Sequence, residues 1–213
     1  MIRGIIFDLD GTLVDTITDI ALGMNKFLTA RAWPVHTTDQ YRIMVGRGLL
    51  NLIRAAVPQE EAHRAEELFE EAHAAYSSVG TANSLPYPHV HDSLRILTQK
   101  GIHLAVLSNK PDDLTKSMIK ELFPDIPFKM VQGGTEGVPH KPHPGMALKA
   151  AEVFGLKAAE CAFLGDSDVD IKTALAAGMQ PIGAAWGFRA KEELLKAGAK
   201  TVLATFKDIL NFV

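Results

Sequence analysis

Gly4-Ile5-Ile6-Phe7-Asp8-Leu9-Asp10-Gly11-Thr12 is the stretch on which the fold of this chain turns. Ile5, Ile6 and Phe7 form an apolar run without alternation, the pattern of a strand buried on both faces, as in parallel sheets. Where such a strand ends the chain leaves the core, and open α/β sheets bind ligands at that edge. Asp8 and Asp10 are two residues apart, so an extended backbone points both side chains the same way. Two carboxylates that close repel, and one tends to keep its proton. A bound cation offsets that repulsion. Gly11 permits a tight turn, and the Thr12 hydroxyl can donate to an anion. A plainer reading also fits these residues: an acidic turn that caps the next helix. The rest of the chain decides between the two.

The chain has 213 residues, 47% hydrophobic and 22% charged, with a formal net charge of -3. Such a composition predicts a soluble globular protein, long enough for one buried domain with an insert or for two small domains. No basic cluster stands out, so a nucleic-acid partner is not expected. Cys161 is the only cysteine, which rules out an internal disulfide and fits a reducing, cytoplasmic setting. Residues 2–7 are too short for a secretory apolar region. No apolar run approaches the roughly 18 residues that span a bilayer, so no membrane partner is expected.

After Thr12 the hydrophobic period changes. Ile17, Ile20, Ala21, Met24, Phe27 and Leu28 fall on one face of a helix. Short helices are predicted from Thr38 to Met44 and from Leu49 to about Val57, separated by Gly46-Arg47-Gly48. One further helix is predicted from Gln59 to about Ser77. Residues 80–88, with Gly80, Pro86 and Pro88, read as a linker. From His89 onward helices alternate with strands, the latter at Ile102–Leu107, Phe128–Gln132, Cys161–Leu164, Pro181–Ala185 and Thr201–Leu203. A closing helix is predicted over Phe206–Leu210.

Alternation of this kind predicts an α/β fold, a Rossmann-like parallel sheet with helices on both faces. The N-terminal strand must join that sheet. The expected organisation is a core of residues 1–14 and 84–213 with an inserted all-helical cap of residues 15–83. Hinges are expected near Val14-Asp15 and Gly80–Pro86, so that the cap opens to substrate and closes against water.

Three further strand ends carry polar residues: Ser108-Asn109-Lys110, the Gly165-Asp166-Ser167-Asp168-Val169-Asp170 run, and the loop with His140-Lys141-Pro142-His143-Pro144. In a parallel sheet these share one edge with Asp8. Plainer readings stand beside this one. Asp168 and Asp170 suit the first turn of a helix, where the dipole favours acids. Ser108 can ease entry into the next helix. Lys141 can be a solvated loop lysine, although a residue before proline is held extended.

The four motifs in order resemble the haloacid dehalogenase-like superfamily, and within it the capped phosphatases similar to phosphoglycolate phosphatase. The resemblance rests on Phe7-Asp8-Leu9-Asp10-Gly11-Thr12, Ser108-Asn109-Lys110, Lys141-Pro142-His143-Pro144, and Gly165-Asp166-Ser167 with Asp170. Pro86-Tyr87-Pro88 and Trp186-Gly187-Phe188-Arg189 also look like family wording. The resemblance implies a phosphoric monoester hydrolase in which Asp8 attacks phosphorus and Asp10 serves as acid and then base. It implies Mg²⁺, held by Asp8, the Asp10 carbonyl and Asp166. Asp170 would hold a water of that cation or orient Lys141. Thr12, Ser108 and the Asn109 amide would hold phosphoryl oxygens, and Lys141 would neutralise charge.

Asp10 also sorts the family's chemistries, because the similar dehalogenases lack it. A phosphonate hydrolase would need a cap lysine, and Lys26 is the only lysine between Leu13 and Gln99. The mutase relatives carry a cap histidine where this chain has Ile20. Substrate choice is expected to rest with the cap, with Gly46 letting backbone approach the ligand and Arg47 reading an anionic group. The expected partner is a small phosphorylated metabolite, 2-phosphoglycolate first, then a sugar phosphate, pyridoxal phosphate or pyrophosphate. The expected assembly is a monomer or homodimer. A catalytically silent scaffold remains the alternative of a different class. The pairs His89/His91 and His140/His143 invite a zinc reading, but no cysteine or dense carboxylate accompanies the first pair. His89 departs from the glycine that the resemblance leads one to expect there. Cys161, Met24, Phe27 and Trp33 read as core.

Overall fold

A computed structural model describes residues 1–213. The chain opens with β1 (Gly4–Phe7) and a short β2 (Val14–Asp15). Four helices follow, α1 (Ile17–Ala30), α2 (Thr38–Met44), α3 (Leu49–Ala56) and α4 (Phe69–Ser77). β3 (Leu85–Pro86) then pairs antiparallel with β2. The remainder alternates: α5 (Val90–Gln99), β4 (His103–Pro111), α6 (Asp112–Leu122), β5 (Met130–Gly134) and α7 (Gly145–Phe154). It ends in β6 (Cys161–Gly165), α8 (Asp168–Ala176), β7 (Gln180–Ala184), α9 (Lys191–Ala197) and β8 (Thr201–Leu203).

Six strands form one parallel sheet in the order β5-β4-β1-β6-β7-β8. β1 is central, with Phe7 in register with Val106 on one side and Leu164 on the other. Its unbroken apolar run follows from cover on both faces. Ile5 and Phe7 join one cluster with Val106, Leu94 and Phe206, while Ile6 joins another with Ala105, Phe163 and Phe154. Each face gains the burial of large side chains, about 1.5–3 kcal/mol apiece. Cys161 lies in the second cluster, as expected.

The helices α1–α4 gather round an apolar cluster of their own, with Met24, Phe27, Tyr41 and Ile53 fully buried and Trp33 packed at its rim. The two crossings between this segment and the sheet run side by side through β2 and β3. The buried carboxylate of Asp19 on α1 pins the return crossing. It accepts the Asn83 N–H at 3.0 Å, the Asn83 amide at 2.8 Å and the Ser84 hydroxyl at 2.6 Å, the donors a buried carboxylate requires.

Three local expectations are revised. The helix predicted over 59–77 is split into a 3₁₀ stretch at Gln59–Arg64 and α4, because the first part buries no residue. An amphipathic helix needs a face to pack. β4 continues past Leu107 to Pro111, carrying Ser108-Asn109-Lys110 on extended backbone. The closing segment Phe206–Phe212 is 3₁₀ rather than α. No helix is long and apolar enough to cross a membrane.

Candidate active site

At the end of β1 the chain turns through Gly11, whose φ of +81° favours glycine. The turn places Asp8 and Asp10 beside the ends of β4 and β6. Asp8 is buried; its Oδ1 accepts the Leu9 N–H at 2.7 Å and lies 2.8 Å from the Lys141 ammonium. Asp166 follows β6 directly, and Asp170 sits in the first turn of α8. Carboxylate oxygens of Asp8, Asp166 and Asp170 lie within 4.8 Å of one another. Lys141 Nζ bridges two of them, reaching Asp170 Oδ1 at 2.7 Å.

Asp170 is held by more than the helix dipole. Its other oxygen accepts the Ser167 hydroxyl at 2.6 Å and the Ser167 N–H at 3.1 Å. The second oxygen caps α8 while the first receives the Lys141 ammonium. Asp168 points away and pairs with Lys172 and Arg47.

Three buried carboxylates against one lysine leave an excess of negative charge. Burial, then Asp170, pushes Asp8 from 3.8 up to about 7, although Lys141 pulls the other way. Asp166 is raised well above the ordinary range by burial and by Asp170 and Asp8. Burial alone lowers the Lys141 ammonium, but Asp170 and Asp8 carry it above its usual value. A hard, oxygen-seeking cation suits this donor set. No histidine joins the cluster. His91 packs on Phe123, His143 accepts the Gly145 N–H, and His140 lies beside Gly134. His89 has a φ of +68°, the conformation in which a glycine is at ease.

Asp10 faces a different set of partners. Its Oδ1 accepts the Thr16 hydroxyl at 2.7 Å and the Lys110 ammonium at 2.8 Å. Lys110 Nζ also donates to the Tyr76 hydroxyl and lies over that ring, 4.8 Å from its centroid. Sequence reasoning assigned no role to Thr16, Lys110 or Tyr76. Lys110 was visible inside its motif. Tyr76 reads from its spacing as part of the apolar face of α4, and only the fold shows its hydroxyl reaching the sheet edge.

Thr12 and Ser108 are buried at the same edge; the Thr12 hydroxyl lies 3.5 Å from Asp166 Oδ1. The Asn109 side chain is already engaged. It accepts the Lys141 N–H at 2.9 Å and donates to the carbonyls of Lys141 and Gly46 at 3.0 Å each. It therefore clamps the lysine loop to the turn before α3, and its side-chain amide is spent on backbone. A cavity of about 40 Å³ lies over the carboxylates. Gly46 lines it together with Ile20, Leu49, Leu52 and Tyr76 from the helical segment. Arg47 does not line it. Its half-exposed guanidinium points outward to Asp168, 3.2 Å away.

The family model for haloacid dehalogenase-like hydrolases matches residues 5–184. The chain is 30% identical over 216 residues to a phosphoglycolate phosphatase of Pectobacterium atrosepticum, covering all of this chain and 92% of that one. It is 33% identical over 191 residues to a phosphoglycolate phosphatase of Xylella fastidiosa, covering 90% of this chain and 83% of the relative. The crystal structure of a predicted phosphoglycolate phosphatase from Haemophilus somnus superposes with a TM-score of 0.88 at 26% identity. That alignment covers 99% of this chain and 97% of the other.

Proposed function

The chain belongs to the haloacid dehalogenase-like hydrolases, and on that premise we propose that it is a Mg²⁺-dependent phosphoric monoester hydrolase of the phosphoglycolate phosphatase type. One observation carries the reading: a buried carboxylate triad bridged by Lys141, with Asp10 beside it on separate partners. The relatives named as phosphoglycolate phosphatases support the substrate class.

Asp8 is the nucleophile in this reading. Its free oxygen attacks phosphorus, the ester oxygen departs, and an aspartyl phosphate forms. Asp10 gives its proton to the departing alkoxide and then takes one from the water that cleaves the intermediate. Thr16 and Lys110 fix one oxygen of Asp10 and leave the other for the proton. Lys141 balances charge on both the phosphoryl group and Asp8, and Thr12 and Ser108 supply hydroxyl donors to phosphoryl oxygens. Asp8, Asp166 and the carbonyl of Asp10 would hold Mg²⁺, with Asp170 behind them. When bound, the dication offsets the surplus negative charge of the triad and of the phosphoryl group.

Residues 15–83 act as the cap and residues 1–14 with 84–213 as the core. The paired crossings at β2 and β3 serve as the hinge. The apolar lining from Ile20, Leu49 and Leu52 excludes water around a small leaving group. A cytoplasmic monomer or homodimer without a nucleic-acid partner completes the reading. The test is phosphate release across 2-phosphoglycolate, pyrophosphate, hexose phosphates and pyridoxal phosphate, with Mg²⁺ and with EDTA. Metal-dependent turnover led by 2-phosphoglycolate is expected; no turnover on any ester by folded protein with Mg²⁺ overturns it.

A further inference from the structure

The segment Trp186-Gly187-Phe188-Arg189 touches the carboxylate site and the helical cap at once. Its first residues face the site. The Trp186 indole N–H donates to the Thr12 carbonyl at 3.0 Å. The Phe188 N–H donates to Asp166 Oδ2 at 2.6 Å. Gly187 lies so close that a Cβ would stand 2.2 Å from that of Asp166 and 2.4 Å from the Gly11 carbonyl. A short charge-assisted bond of this kind fixes which way a carboxylate turns.

Its last residues face the cap. The Arg189 guanidinium donates to the carbonyls of Arg42, Ile43 and Val45, at the C-terminal end of α2. A cation there meets the orphan carbonyls and the negative end of the helix dipole. Arg42 returns across the joint, its guanidinium 5.5 Å from the Phe188 ring centroid. Of the other polar contacts between cap and core, Arg47 with Asp168, His73 with Asp113 and Thr81 with Glu121 touch no residue of the triad, and the Asn109 amide on the Gly46 carbonyl holds the Lys141 loop rather than Asp166. Tyr76 reaches Lys110, which serves Asp10 rather than Asp166.

We propose that Arg189 is a positioning residue that couples seating of the cap to the orientation of Asp166. With the cap down, Arg189 is anchored on α2 and the adjoining Phe188 N–H is held on the carboxylate. With the cap up, Arg189 loses its three acceptors and the segment loosens at the metal side. Linkage then requires the reverse: a cation held by Asp166 favours the closed cap. The inference rests on the cap and metal reading given above.

Arg189→Ala and Arg189→Lys in the full chain test it, each first checked for a cooperative melt. Three measurements are compared with the unaltered protein: Mg²⁺ binding by calorimetry without substrate, the rate of limited proteolysis at residues 80–86, and steady-state hydrolysis. For Arg189→Ala, Mg²⁺ affinity is expected to fall about fivefold or more, the range in which two coupled sites operate. Cleavage at the hinge should accelerate in the presence of Mg²⁺, and kcat should fall more than KM rises. Arg189→Lys, with fewer donors, should give intermediate values in all three. Unchanged Mg²⁺ affinity in a folded Arg189→Ala variant overturns the coupling, whatever its activity. If the unaltered protein hydrolyses no ester, the functional reading fails, while the binding and proteolysis measurements still judge the coupling.

Discussion

The ammonium of Lys110 lies 2.8 Å from Asp10 Oδ1, with both side chains largely withdrawn from water. The pair joins the end of β4 to the turn after β1, and the Tyr76 hydroxyl completes it from α4. Replacing Lys110 with methionine leaves Asp10 as a largely buried carboxylate with only Thr16 to satisfy it. Breaking a buried pair on one side costs about 3–5 kcal/mol. A Lys110→Met variant should therefore unfold at lower urea. Its kcat should fall about 10²-fold, the scale of a displaced general acid. Wild-type kcat in a folded Lys110→Met protein would show that Asp10 does not depend on this contact.

The triad makes stability depend on pH in a set direction. Asp8 holds its proton up to about 7 in the folded, metal-free protein against an ordinary 3.8. Between these values the folded state binds more protons than the unfolded chain. This contribution to stability is full below pH 3.8 and is lost as pH rises through about 7. Asp8→Asn removes the burden, so in EDTA at pH 8 it should melt at higher temperature than the unaltered protein while losing all activity. At pH 4 the gap should close. A lower melting temperature for Asp8→Asn at pH 8 contradicts the electrostatic account.

Metal binding should follow the same protons. The cation displaces the proton that Asp8 holds up to about 7, so Mg²⁺ affinity should strengthen from pH 6 to pH 8 with proton release seen by calorimetry in two buffers. Affinity that is flat across this range would mean that Asp8 is already ionised without metal.

Gly187 is required for space rather than for a special backbone angle. A methyl group there meets the Asp166 Cβ at 2.2 Å and the Gly11 carbonyl at 2.4 Å, both in buried residues. Gly187→Ala should weaken Mg²⁺ binding and lower kcat with a smaller effect on KM. Normal Mg²⁺ affinity in that variant would show that the segment yields without moving Asp166.

Much of this was legible in the sequence, and the losses have identifiable causes. The doubly buried run Ile5-Ile6-Phe7 announced a parallel sheet, and the carboxylates at strand ends announced the site edge. Lys141 was legible because the proline after it marks a fixed loop. Tyr76 was not, because helical spacing records the side of α4 it occupies but not where its hydroxyl ends. Arg47, expected to read the substrate, lies outside the cavity for a related reason. Two flanking glycines show that backbone can come close, but they do not aim the side chain, and Asp168 captures it outside the cavity. Exposed ion pairs of this kind contribute only about 0–1 kcal/mol. Arg47→Ala should accordingly change stability little and shift KM for anionic and neutral esters by the same small factor. A selective rise in KM for anionic esters would restore it to the site.

The measurement that tests the central claim most directly is the mass of the peptide containing Asp8, after acid quenching during turnover of 2-phosphoglycolate with Mg²⁺. The account predicts one added phosphoryl group on that peptide, absent in EDTA and absent in Asp8→Asn, which should also release no phosphate. Phosphate release by Asp8→Asn at the wild-type rate, with no phosphoryl group on the peptide in either protein, would contradict it.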